Sequence, residues 1–120
     1  MLQKKLTNNL GRIAEDFAAS LLQEKSYKIL ERNFRSRFGE IDVVAEKDGV
    51  LVFVEVKARW SRKFGTPEEA VTPWKLKKIQ KTGEYYSILH PTLSKKLRIV
   101  VVALEIDKDR VISSKIIEVY

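Results

Sequence analysis

The stretch VLVFVEVKA at 50–58 decides the fold. Val50, Leu51, Val52, Phe53 and Val54 are apolar at both even and odd positions, so a strand built from them is buried on both faces and lies inside its sheet. Glu55 and Lys57 then follow on the face that Leu51 and Phe53 occupy, because strand side chains alternate. A solvated face would be polar along its whole length. An acid and a base at the end of a central strand are costly unless they are paired, metal-bound or set in a cleft.

Immediately upstream, Lys47-Asp48-Gly49 is a tight-turn signature, which makes a strand at 40–45 the antiparallel neighbour of 50–58. Pairing about that turn brings Asp42 level with Glu55, at a Cβ separation of about 4.5–5.5 Å. Two adjacent carboxylates repel unless one takes up a proton or a cation lies between them. Oxygen-only ligation favours Mg²⁺ or Mn²⁺ over zinc. The plainer reading of Asp42, Glu55 and Lys57 is a cross-strand ion network. Glu40 shares the Asp42 face and could equally pair with Arg35 or Arg37.

Farther out, 27–34 reads as a strand and 35–39 as a turn. Residues 8–24 carry a helical period through Leu10, Ile13, Ala14, Phe17, Ala18, Leu21 and Leu22, with Thr7, Asn8 or Asn9 as N-cap. Glu15 lies on the shoulder of that stripe. Downstream, 59–72 is a long basic loop, and Thr72-Pro73 marks a helix start over 73–89. Leu76, Ile79, Gly83 and Tyr86 share its apolar face, Lys77, Lys78 and Lys81 cluster opposite, and Lys75 lies at the margin. His90 reads as an exposed helix-end residue. Strands follow at 97–106 and 115–120. The order α-β-β-β-α-β-β predicts a single α/β domain over 1–120, with a mixed central sheet flanked by helices.

The 120 residues carry 23 Lys+Arg against 16 Asp+Glu, a net charge of +7. That excess attracts polyanions, nucleic acid first among them, although a ribosomal complex or an anionic membrane surface fits the same arithmetic. Cysteine is absent and His90 is the one histidine, which excludes disulfides, thiol chemistry and a Cys- or His-clustered zinc site. The start, MLQKKLTNNL, has no apolar core of a signal peptide, and no run is long enough to span a bilayer. The expectation is a cytoplasmic protein without membrane association. Arg59, Arg62, Lys63, Lys75, Lys78 and Lys81 are the candidates for a phosphate track, with Trp60 and Phe64 able to stack on bases.

Asp42 followed by Glu55-Val56-Lys57 resembles the core of the PD-(D/E)XK nuclease superfamily. The wider set resembles the bacterial YraN-like family, grouped with endonucleases: Gly11-Arg12 and Glu15, Arg32-Asn33, Gly39-Glu40-Ile41-Asp42, Val52 to Arg59, and Phe64-Gly65. The resemblance implies a restriction-endonuclease-like core related to Holliday-junction resolvases, and Mg²⁺- or Mn²⁺-dependent hydrolysis of DNA phosphodiesters, branched DNA included. It implies that Asp42 and Glu55 hold the metal with the Val56 carbonyl, that Glu15 assists from the helix, and that Lys57 orients or deprotonates the attacking water. It also implies a homodimer, since two cuts need two sites. Where the family commonly reads R-F-D-V, this chain has Arg98-Ile99-Val100-Val101, with valine replacing the acid. Gln80 is the candidate for the second-helix Gln of related nucleases, but the downstream Tyr spacing is not met. A non-catalytic nucleic-acid-binding module and a protein–protein adaptor are the alternative functions.

Overall fold

A computed structural model describes residues 2–60 and 71–120, with side chains from Gly11 onward. The elements run α1 (Leu2–Glu24), β1 (Lys28–Ser36), β2 (Gly39–Lys47), β3 (Val50–Arg59), α2 (Pro73–Leu89), β4 (Leu97–Asp107) and β5 (Arg110–Glu118). They form one sheet in the order β1-β2-β3-β4-β5, with β3 in the middle. β3 and β4 are parallel and every other pair is antiparallel. The α/β order is the one the hydrophobic pattern predicts.

Each face of the sheet carries one helix. Val52, Val54, Val100 and Val102 pack with Ala14, Ala18 and Leu22 of α1. Leu51, Phe53 and Ile99 pack with Ile79 and Tyr86 of α2. Gly83 lets α2 approach β3 closely, because a Cβ there would clash with the Phe53 ring. Val100, which stands where the resembling family has an acid, is fully buried in the α1-side core.

The β2–β3 turn carries Asp48 at φ 52° and Gly49 at φ 75°, the paired positive φ values of a two-residue hairpin. The same device joins β4 to β5: Lys108 and Asp109 sit at φ 49° and 64°. Without a glycine this turn is silent in the sequence, so the last strand begins at Arg110 rather than at residue 115. α1 likewise starts at Leu2, ahead of the expected cap. Gln3, Lys4, Lys5 and Leu6 are good helix formers with no breaker among them, so Thr7, Asn8 and Asn9 lie inside the helix. Its buried stripe is narrower than the periodicity predicts. Ile13 and Phe17 are 41% and 37% exposed, and the Leu10 side chain lies outside the described residues. α2 spans the predicted 73–89, with Thr72 Oγ1 accepting the Lys75 N–H. His90 caps its other end half-buried, its ring stacked on Tyr86 at 4.0 Å, rather than standing free in solvent.

Candidate metal and nucleic-acid site

The backbone ladder between β2 and β3 runs from Lys47↔Val50 to Val43↔Val54 and stops there. At the next position Asp42 supplies the missing acceptor from its side chain: Oδ2 accepts the Val56 N–H at 2.7 Å. Alternation along β2 breaks at the same point. Ile41 and Val44 both face the α2-side core, while Val43 and Ala45 face α1. On β1, Asn33 adopts φ 56° within the stretch where Arg32 pairs with Val43 and Phe34 with Ile41. The ladder's interruption therefore leaves the Asp42 carboxylate beside Glu55.

Glu55 is 8% exposed, one of two buried polar side chains among the described residues. Its Oε1 meets Lys57 Nζ at 3.5 Å and Lys75 Nζ at 3.1 Å. A carboxylate so deeply set requires such partners. Lys75, a phosphate-track candidate, lines the cleft, and the first turn of α2, fixed by Thr72 and Pro73, aims it at Glu55. The sequence signal was available in the helical phase counted from Thr72, but that phase alone leaves a marginal position undecided.

Asp42 lines two adjoining hollows. On the α2 side lies an open cleft of about 480 Å³ with Arg37, Glu40, Glu55, Lys75 and Lys78. On the α1 side a hollow of about 270 Å³ includes Glu15, Val56, Lys57 and Trp60. Glu15 thus approaches from the helix, near enough for its charge to act on Asp42. Burial, and then the neighbouring Glu55, raise the Asp42 pKa from 3.8 to about 6, against the opposing effect of the Val56 N–H. Burial, and then the adjacent Lys75 ammonium, lower the pKa of Lys57.

The donor set suits a hard divalent ion. Asp42 Oδ1 and Glu55 Oε2 are outside the contacts just described, and Mg²⁺ takes one or two carboxylates and keeps much of its water. Three carboxylates against two ammonium groups also leave the cluster with one net negative charge for a cation to offset. Among the described residues no three acidic or histidine side chains form a ready-made cage.

The remaining predicted positions divide. Lys78 lines the cleft, and Lys81 lies with its Nζ 5.2 Å from the centre of the Phe38 ring. Arg59, at the end of β3, keeps a buried Nε without a hydrogen-bond partner. Arg62, Lys63 and Phe64 lie outside the described residues. Gln80 donates to the Tyr120 hydroxyl at 3.0 Å and lines a different hollow. Glu40 pairs with Arg35 at 3.6 Å while bordering the cleft. Arg37 lines the cleft and Trp74 stands exposed in the first turn of α2, and neither is among the phosphate-track candidates of the sequence. No helix among the described residues is long and apolar enough to cross a membrane.

Fold and site together define an α/β domain in which β2 parts from the central strand at a cleft shared by paired carboxylates and paired lysines. Comparison with known sequences gives the family. The profile of "Uncharacterised protein family UPF0102" matches residues 14–104, and the chain belongs to that family. It is 53% identical to a UPF0102 protein of Syntrophomonas wolfei over 81 residues, covering 68% of this chain and 70% of the relative. Identity to a UPF0102 protein of Persephonella marina is 43% over 94 residues, covering 78% and 81%. For a UPF0102 protein of Caldicellulosiruptor bescii it is 46% over 99 residues, covering 82% and 83%.

Proposed function

We propose that the chain is a metal-dependent endonuclease acting on DNA, with its centre at Asp42, Glu55 and Lys57. One observation carries this reading: Asp42 and Glu55 sit side by side where β2 and β3 stop pairing, midway along the central strand, with two lysines on Glu55, in a basic protein. Such a juxtaposition is costly to fold and gains its use when a divalent ion and a phosphate enter. Asp42, Glu55 and the Val56 carbonyl would hold Mg²⁺ or Mn²⁺, with Glu15 assisting from α1. The ion would polarise the phosphate and make its bound water more acidic.

The protein's own groups do the rest. The Val56 N–H fixes the Asp42 carboxylate, so its free oxygen needs no reorganisation. Lys57 is tethered by Glu55, and burial with the nearby Lys75 lowers its pKa, which eases proton exchange with a water that it orients. Lys75 shares the same carboxylate oxygen and supplies a second positive charge against a phosphate. Lys78 and Arg37 border the cleft where the flanking backbone would run.

The test is incubation with labelled duplex, single-stranded, flapped and four-way-junction DNA in Mg²⁺, Mn²⁺ or EDTA, beside Glu55→Gln and Lys57→Met. Cleavage that requires metal and disappears in both variants supports the enzyme. No cleavage of any substrate in any metal refutes it. Val100, buried where the resembled family has an acid, favours a second reading, a module that binds nucleic acid without cutting. Salt-sensitive binding that survives Asp42→Ala, without cleavage by wild type, would select it.

A further inference from the structure

Trp74 is 71% exposed, although tryptophan is normally well covered in a folded domain. It stands in the first turn of α2, between Pro73 and the inward-pointing Lys75, where the Thr72 cap fixes the backbone. The ring contributes little to the core. It carries a cation instead: Lys78 Nζ lies 5.1 Å from the ring centre. Trp74, Lys78 and Lys81 fall at i, i+4 and i+7, one stripe along the helix. Across from that stripe, the β1–β2 turn presents Phe38, with Arg37 at 5.0 Å and Lys81 at 5.2 Å from its ring centre. Lys78 and Arg37 also line the cleft that holds Asp42 and Glu55. Two aromatic rings, each with a cation against it, thus adjoin the cleft through Lys78 and Arg37.

We propose that the exposed ring of Trp74 is a stacking platform for an unpaired nucleobase, with Lys78 and Arg37 holding the adjoining phosphates. The nucleic acid at this cleft then carries a single-stranded segment there. A paired base has both faces occupied by its neighbours in the duplex and cannot cover an exposed indole, whereas every unpaired base offers a π-face. The flanking cations match the phosphates on either side of such a base. The inference deepens the proposed function by naming its substrate class, and it rests on the nucleic-acid part of that reading.

The test is binding in EDTA, so that cleavage plays no part. Dye-labelled oligothymidylate and a blunt duplex of the same length are titrated by fluorescence anisotropy at several salt concentrations. Wild type is expected to prefer the single strand. Trp74→Ala should weaken single-strand binding about 5- to 100-fold and leave duplex binding and the salt slope unchanged, with Trp74→Phe recovering part of the loss. Lys78→Ala should reduce the single-strand salt slope by about 0.7. In a Trp60→Phe background, the oligonucleotide should quench Trp74 emission and inorganic phosphate should not. Unchanged urea midpoints would establish that the variants are folded. Equal effects of Trp74→Ala on both probes, or none on either, would overturn the inference while leaving the nuclease reading standing. Failure of wild type to bind the single strand would overturn this inference, while the cleavage assay in Mg²⁺ or Mn²⁺ still decides the nuclease reading. A Trp74 effect without cleavage of any DNA would preserve this inference and remove the enzyme.

Discussion

Replacing Asp42 by Asn separates the charge of the cleft from its shape. An Asn carbonyl oxygen can still accept the Val56 N–H, so the parting of β2 and β3 is preserved. What disappears is a carboxylate whose pKa is raised from 3.8 to about 6. Below the unfolded pKa both states hold the proton and the group contributes nothing. Between the two values the folded state keeps a proton that the unfolded chain has released, and raising the pH costs stability. Above the folded value the full penalty stands, about 3 kcal/mol at ~1.4 kcal/mol per pKa unit. Partial access of water reduces this to about 2 kcal/mol, or roughly 8 °C in melting temperature for a domain of this size. The assay is thermal unfolding in EDTA and in excess Mg²⁺, at pH 5 and pH 8. Asp42→Asn should be more stable than wild type by that amount at pH 8, with a smaller gap at pH 5. Saturation tenfold above the dissociation constant should stabilise wild type by about 1.4 kcal/mol and leave the variant unmoved. An Asn variant less stable than wild type at pH 8 in EDTA, or Mg²⁺ stabilising both equally, would refute the electrostatic account of the site.

Two further substitutions probe the surroundings. Lys75→Met removes one of the two ammonium partners of Glu55, so apo stability should fall by about 1 kcal/mol while Mn²⁺ affinity rises severalfold, because the ion no longer competes with that lysine. Calorimetric titration reads the second effect, and a loss of Mn²⁺ affinity would count against the competition. Gly83→Ala should destabilise by about 1–3 kcal/mol in urea unfolding, despite the roughly 1 kcal/mol that alanine offers a helix interior, because the added methyl meets the Phe53 ring. A neutral or stabilising result would mean that α2 can slide away from β3 at little cost.

The sequence-to-structure relation is uneven for a physical reason visible in individual residues. The apolar run at 50–54 specifies a central strand because burial on both faces leaves no alternative, and Thr72-Pro73 specifies a helix start because cap and fixed φ act locally. The level placement of Asp42 beside Glu55 follows from a two-residue turn whose glycine is written in the chain. What escapes the sequence depends on contacts between elements. Whether a marginal residue such as Lys75 faces solvent or the sheet is decided by how α2 seats on Phe53 through Gly83, not by its own periodicity. Likewise, positive φ at Asn33, Lys108 and Asp109 leaves no glycine to announce it. The same cross-element geometry makes the cleft. Asp42 cannot both continue the strand ladder and occupy the Val56 N–H, and by taking the second role it ends β2–β3 pairing where Glu55 begins. The acid therefore does two things at once: it holds the strands at the opening and contributes charge to it. Neutralisation by Asn should spare the first role and abolish the second, whereas Asp42→Ala should lose both.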